Sequence, residues 1–252
     1  MSSIKVLYED NHIIAVVKPA GLLTQGDKSG EASLMDEVKK YLKEKYKKSG
    51  NVFLGLVHRL DKPVQGIVLF GKTSKGASRL SEQFREHTIQ KTYHAIVVGK
   101  LDKQKGEIKE QVNKISFFAE GFTNKTDEEL LQEIKKATKT RTAELSWEVV
   151  PTSPRLRGAS HEYTLLKITP RTGRFHQIRI QMANMGHPIL GDVKYGYKFG
   201  SKPGLDPKSI ALAATAISFK TATLGRSPTT GEAEDKQINL EIDLPENWNG
   251  LI

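Results

Sequence analysis

Apolar positions along this chain recur in two rhythms that divide it into strands and helices. Strand-like runs occupy residues 4–8 and 12–17, separated by the turn Glu9-Asp10-Asn11. Ser33 is placed to cap a helix in which Leu34, Val38, Tyr41 and Leu42 share one face. Residues 67–70 read as a buried strand, and a second amphipathic helix starts at Ser74 with Ala77, Leu80 and Phe84 aligned. Residues 91–98 alternate, with Tyr93, Ala95 and Val97 on one side and His94, Ile96 and Val98 on the other. A further strand is predicted over 163–168, a helix over 175–185 stopped by Gly186 and Pro188, and a strand over 210–219. Ile238, Leu240, Ile242 and Leu244 alternate with polar residues, as in a strand buried on one side.

Strands outnumber helices and do not alternate regularly with them, which predicts an α+β fold with a mixed, largely antiparallel sheet and flanking helices. No internal repeat or linker is evident, so residues 1–252 are expected to form a single domain. Residues 119–141, polar and lysine-rich with only Leu130, Leu131 and Ile134 at helical spacing, predict an insertion or flexible flap.

Composition narrows the function classes. The apolar runs are too short to cross a bilayer, so no membrane association is expected. The first five residues carry no apolar signal segment and lead straight into strand-like sequence. The absence of cysteine excludes disulfides and thiolate metal sites. Together these features point to the cytoplasm. The net charge of +10 favours a polyanionic partner, because lysine and arginine displace counterions from phosphates. Part of that charge lies in lysine runs (39–48 and 135–139) that also suit a solvated face.

One motif is a look-alike. Gly66-Ile67-Val68-Leu69-Phe70-Gly71-Lys72-Thr73 satisfies the phosphate-loop pattern letter for letter. That chemistry needs a turning loop whose backbone N–H groups converge on phosphates. Ile, Val, Leu and Phe at the variable positions belong in a strand instead, and Pro63 interrupts the strand that should precede the loop. A nucleotidase is therefore disfavoured. There is no Gly-x-Ser-x-Gly elbow or His-Glu-x-x-His pair, and His176 and His187 lack a third ligand at metal-binding spacing.

The informative carboxylate is Asp61, set between His58-Arg59-Leu60 and Lys62-Pro63, just before the apolar run 67–70. Leaving a buried acid unpaired costs roughly 3–5 kcal/mol, so such an acid calls for a partner. In the helix from Phe175, the residues Phe175, Ile178, Met182 and Met185 form one apolar stripe with Arg179 on the same side. An arginine beside a buried stripe either snorkels to solvent or grips a carboxylate bidentately. Asp61 is a candidate for that carboxylate, and such a pair would hold the acid ionised.

These segments lie among five that resemble the RluA family of pseudouridine synthases, enzymes that isomerise uridine in RNA. The resemblance runs over Asp10-Asn11-His12 with Lys18-Pro19-Ala20-Gly21-Leu22, then His58-Arg59-Leu60-Asp61, then Lys91-Thr92-Tyr93-His94-Ala95. It continues through Thr172-Gly173-Arg174-Phe175-His176-Gln177-Ile178-Arg179 and Gly186-His187-Pro188-Ile189-Leu190-Gly191-Asp192. The resemblance implies the pseudouridine synthase fold with a central catalytic cleft, Asp61 as the catalytic aspartate, and Arg179 as the arginine that pairs with it. Tyr93 would pack against the target base and move a proton, Arg59 would enter the RNA stack, and Leu212 would cover the base. His58, Arg174 and His176 are implied as further substrate contacts. No metal or cofactor is implied. The expected partner is a stem-loop of ribosomal or transfer RNA, and the expected state is a monomer. The small N-terminal RNA-binding domain of many relatives is expected to be absent, because Ile4 already opens the catalytic domain. Three positions depart from the family pattern: Val64-Gln65 before Gly66, Phe175 where threonine is frequent, and Ala213 where histidine is common. The rival expectation is an inactive RNA-binding protein on the same fold.

Overall fold

In a computed structural model of the protein, which describes residues 4–112, 141–151, 163–198, 205–226, 233–249 and 251, the N-terminal segment folds as the hairpin its pattern predicts. Strands β1 (Lys5–Glu9) and β2 (Ile13–Lys18) pair antiparallel across the Asp10 turn. Asp10 Oδ1 accepts from the backbone N–H groups of His12 (2.7 Å) and Ile13 (2.6 Å), and the Asp10 N–H donates to the Ile13 carbonyl (3.0 Å), which together close the turn.

Two compact units are formed, the first from residues 1–94 and 206–246, the second from residues 95–205 and 247–252. In the first unit, helix α1 (Leu34–Lys45) starts at a reciprocal capping box between Ser33 and Asp36 and buries Leu34, Val38 and Leu42. The two-residue strand β3 (Gly55–Leu56) pairs with β4 (Gln65–Gly71), which is followed by helix α2 (Ser74–Arg85), capped by Thr73. The long strand β9 (Leu212–Arg226) and β10 (Ala233–Glu241) complete the unit, whose strands run β1-β2-β4-β9, with β10 paired to β9 off that path. All pairs are antiparallel except β4 with β9, so the sheet is mixed. Its core gathers Ile13 and Ala15, Ile67 and Leu69, Leu80, Ile89, Ile217, Phe219 and Ile238. Alternating residues of four strands thus meet one face of α2, as the two periodicities require.

Strand β5 (Gln90–Val98) begins in the first unit and ends in the second. The second unit also holds β6 (Lys105–Val112), β7 (Arg141–Val149) and β8 (Tyr163–Pro170), antiparallel in the order β6-β7-β8. Helix α3 (Gln177–Asn184) follows, then a short 3-10 turn over Val193–Tyr195. β6 and β7 are not among the elements predicted from sequence, although Ala143, Leu145 and Trp147 are buried at alternate positions. The insertion predicted over 119–141 lies outside the described residues except for Arg141, which opens β7. The α+β class with a mixed, mostly antiparallel sheet is as predicted. Among the described residues no helix is long and apolar enough to cross a membrane.

The phosphate-loop look-alike is strand β4, buried from Gly66 to Gly71. Lys72, the lysine such a loop would aim at a nucleotide, instead donates to Glu9 Oε1 and the Asp10 carbonyl, both at 2.6 Å. A nucleotidase reading is thereby overturned. Gly66 has another purpose. It stands at φ +131° in the parallel pairing with Ala214, and a Cβ there would lie 2.2 Å from the Ala214 carbonyl oxygen. Only glycine lets β4 and β9 approach so closely.

Gly66→Ala should therefore destabilise the protein by at least about 2 kcal/mol, through strain and steric conflict together, read as a lower urea midpoint. A pH effect is expected at Glu9. Burial disfavours its carboxylate, but hydrogen bonds from Lys45, Lys72 and Tyr46 overcome that and lower its pKa to about 2. A depressed carboxylate contributes stability above its unfolded value, and loses it as pH falls toward the folded one. Wild type should thus lose stability between about pH 4.5 and pH 2, and Glu9→Gln should flatten that part of the pH–stability curve.

Candidate active site

Asp61 sits on a short loop that is fastened on every side. Just ahead of it, Leu60 is tied to the buried hydroxyl of Thr24, which donates to the Leu60 carbonyl (2.7 Å) and accepts from the Leu60 N–H (3.2 Å). Just after it, the Lys62 carbonyl accepts from the Gly21 N–H (2.8 Å), and the Pro63 carbonyl accepts from the Ile210 N–H (3.3 Å). The Asp61 carbonyl itself accepts from the Val64 N–H at 3.0 Å, closing the turn into β4.

Lys18, wholly buried at the end of β2, secures the loop from beneath. Its Nζ donates to the carbonyls of Leu22 (2.7 Å), Pro19 (3.0 Å) and Lys62 (3.1 Å). Burial pulls this ammonium down to about 7, an effect opposed by the negative charge of Asp61. Three carbonyl acceptors match the three N–H bonds of an ammonium, so the cage favours the charged form. Lys18 has no role assigned from sequence. The signal was a lysine ending the apolar strand Ile13–Lys18, where a strand buried on both faces leaves no solvent for it.

His58 is a structural neutral. Its Nε2 accepts from the Leu69 N–H at 2.9 Å, which places the ring proton on Nδ1. Burial, with the Lys91 ammonium in second place, lowers its pKa to about 3. His58 therefore joins the Asp61 loop to β4 and stays uncharged. Arg59 is exposed. Tyr93, on β5, has its phenol pushed well above the ordinary value, first by burial and then by the charge of Asp61. The first unit thus brings Tyr93 and Lys18 each within electrostatic reach of Asp61. A tyrosine in that state stays protonated, and serves as a hydrogen-bond donor or a packing surface rather than as a base. Leu212, at the start of β9, is buried.

In the second unit Arg179 is buried on α3. It grips Asp192 bidentately, Nε to Oδ2 at 2.7 Å and Nη2 to Oδ1 at 2.8 Å, and its guanidinium lies 4.8 Å from the Tyr195 ring centre. Of the two outcomes that the apolar stripe beside Arg179 leaves open, the structure shows the bidentate grip, with Asp192 as a carboxylate that the sequence reading does not name. Asp192 and Tyr195 are not singled out by the sequence pattern, because thirteen or more residues and a change of element separate them from Arg179. Helix α3 is shorter than predicted: Phe175 and His176 precede it, and Phe175 is 47 % exposed rather than part of the buried stripe. His176 holds a left-handed backbone (φ 50°), which breaks the helical path before Gln177. Arg174 donates through Nε to the Thr142 carbonyl at 3.0 Å. Among the described residues no group of three or more His, Asp or Glu side chains is placed to hold a metal ion.

Comparison with known proteins is consistent across sequence and structure. A family model described as RNA pseudouridylate synthase matches residues 12–184. The ribosomal large subunit pseudouridine synthase C of Rickettsia bellii is 32 % identical over 244 residues, covering 97 % of this chain and 69 % of that protein. The tRNA pseudouridine synthase C of Vibrio parahaemolyticus is 33 % identical over 257 residues, covering 98 % of this chain and 93 % of that protein. Among solved structures, human RNA pseudouridylate synthase domain containing 4 aligns with a TM-score of 0.68 at 20 % identity, over 98 % of this chain and 92 % of that one.

The Asp192 grip yields a stability expectation. Asp192→Asn takes the Asp192 charge away from a buried guanidinium and should lower stability by about 3 kcal/mol in urea unfolding. Replacing both partners, Arg179→Met with Asp192→Leu, should cost less than the two single changes added together.

Proposed function

The chain belongs to the RNA pseudouridylate synthase family, and on that basis we propose that it isomerises particular uridines of structured RNA, ribosomal or transfer, with Asp61 as its catalytic carboxylate. As a member of that family it is an isomerase that acts on RNA. The observation that carries the assignment of Asp61 is the loop itself: its backbone on either side of Asp61 is held by Thr24, Gly21, Lys18 and Ile210, and the half-buried phenol of Tyr93 lies in the field of the carboxylate. Such anchoring fixes an acid to the tolerance that catalysis requires.

The reaction is an isomerisation that balances without any other reagent. The bond from ribose C1′ to uracil N1 breaks, the base turns, and a bond from C1′ to C5 forms. The C5 proton leaves to solvent, and N1 ends protonated. Asp61 would act on the sugar or the base while the glycosidic bond is open. Tyr93, kept protonated, would pack against the uracil and supply or relay a proton. Arg179 is proposed as the family's active-site arginine, with its guanidinium oriented by Asp192. The target base must leave its stack, at a cost of a few kcal/mol that contacts with the enzyme offset. Arg59, exposed on the loop, is the proposed wedge, and Leu212 the apolar cover. His58, Arg174 and His176 would add contacts to the RNA, which for His58 leaves Nδ1–H to offer. We propose that the chain works as one catalytic domain, as a cytoplasmic monomer, and that this redox-neutral isomerisation proceeds without metal or cofactor.

Release of tritium from RNA labelled at uracil C5 tests this reading. Wild type should release label from the RNA of cells lacking the gene, and Asp61→Asn should lower the rate by about 10³-fold or more. Equal release by both, or none from either with the full cellular RNA pool, overturns the enzymatic reading in favour of an inactive RNA-binding protein.

A further inference from the structure

Outside the Asp61 loop, the second unit presents an exposed ring, Phe175, to which none of the roles above is assigned. Among the described residues, Phe175 is one of four large apolar residues that stand exposed, although the helical pattern around it predicts burial. It is not loose. Its ring lies on that of His176, with centroids 3.7 Å apart and planes within 18° of parallel. His176 in turn meets the buried Tyr195 edge to face at 5.4 Å and hydrogen-bonds its hydroxyl through Nδ1.

The backbone beneath this stack is equally fixed. The buried side chain of Gln177 accepts from the Arg174 N–H (3.0 Å) and the Thr172 hydroxyl (2.7 Å), and donates to the Glu144 carbonyl (3.0 Å). The Arg171 N–H donates to that same carbonyl at 2.9 Å. The loop is therefore anchored to β7 on one side of Phe175 and to α3 on the other. An exposed phenylalanine so held loses little entropy when something flat covers it, the condition under which stacking yields most binding energy. Cations flank the stack: the exposed Lys194, whose Nζ is 5.6 Å from the Tyr195 ring centre, and Arg174 one residue before Phe175.

We propose that Phe175 is a stacking platform for an unpaired base of the RNA that this enzyme modifies. The base would extend the Phe175–His176 stack, while neighbouring cations meet the phosphates on either side. Every base offers a π-face, so the platform would select for unpaired RNA rather than for a particular nucleotide. The family's frequent threonine at this position offers no such face, so the platform would set this chain's RNA preference apart from that of its relatives. The proposal rests on the reading of the chain as an RNA-modifying enzyme.

The test compares binding of an RNA hairpin with a uridine-containing loop against binding of a fully paired duplex of the same stem. Phe175→Ala should weaken hairpin binding by about tenfold or more, leave duplex binding unchanged, and keep the salt dependence of wild type, since no phosphate contact is lost. Phe175→Trp should retain hairpin affinity, and Phe175→Leu, apolar but without a π-face, should behave like Phe175→Ala. In the tritium assay Phe175→Ala should raise KM for RNA and leave kcat near wild type. Should Phe175→Ala fail to fold, Phe175→Trp still reports: its fluorescence, above the background of Trp147 and Trp248, should be quenched by the hairpin and not by the duplex. Unchanged hairpin affinity in an active Phe175→Ala enzyme overturns the platform alone and assigns the exposed ring to a protein contact. A matched loss for hairpin and duplex, or a loss with Phe175→Trp equal to that with Phe175→Ala, overturns it in favour of a packing role. A wild type that releases no tritium from cellular RNA overturns the enzymatic reading, and the platform for substrate RNA with it.

Discussion

A single buried ammonium governs the geometry around Asp61. Lys18 is fully enclosed at the end of β2, where a charge without partners would cost several kcal/mol. It is tolerated because three carbonyls, from Pro19, Leu22 and Lys62, take all of its N–H bonds. Two of those carbonyls belong to the loop after β2, and the third lies beside Asp61. One side chain thereby fixes the separation of two loops that lie some forty residues apart in sequence. The Thr24–Leu60 and Gly21–Lys62 hydrogen bonds repeat the same connection with neutral groups. The backbone of the Asp61 loop is thus held by polar contacts as well as by the packing of Leu60 and Val64, which keeps the loop in one orientation.

The second unit satisfies a buried charge differently. The guanidinium of Arg179 meets Asp192 in a planar, bidentate pair, with the Tyr195 ring beside it. Such pairs contribute little net stability compared with apolar packing, and their use is in orientation. Around them the fold spends its neutral polar groups on the loop from Arg171 to His176, where Gln177 and Glu144 hold the backbone in place. Both units therefore hold these loops by hydrogen bonds, while apolar residues of the strands pack with α1 and α2 in the first unit and α3 contributes buried Ile178, Ile180 and Met182 in the second.

Much of this was legible in the chain. The β1–β2 hairpin, α1 with its Ser33 cap, α2 and the strand β4 follow from local rhythm and capping, because their residues meet the requirement of each element within a few positions. The phosphate-loop look-alike was separable from a true one for the same reason: Ile67, Val68, Leu69 and Phe70 suit a pleated, buried strand and no turning loop. The strands β6 and β7 escaped notice because β6 is largely polar, Lys105 to Gln111, and only its pairing with β7 makes it a strand. Phe175 was misplaced because helical periodicity extends its stripe backwards without regard to the left-handed turn at His176.

What the sequence determined by itself was the family and the class of the fold. Asp61, Tyr93 and Arg179 stand in the motifs that carry the family resemblance, and strand and helix periods are local properties of the chain. Only the tertiary structure decided which partners those residues have. Lys18 finds Lys62, Arg179 finds Asp192, and Gly66 finds Ala214 across long separations, and contacts of that kind are set by how strands pair rather than by neighbouring residues. The exposure of Phe175 was decided there too, since burial depends on what packs over a residue and not on its own hydrophobicity.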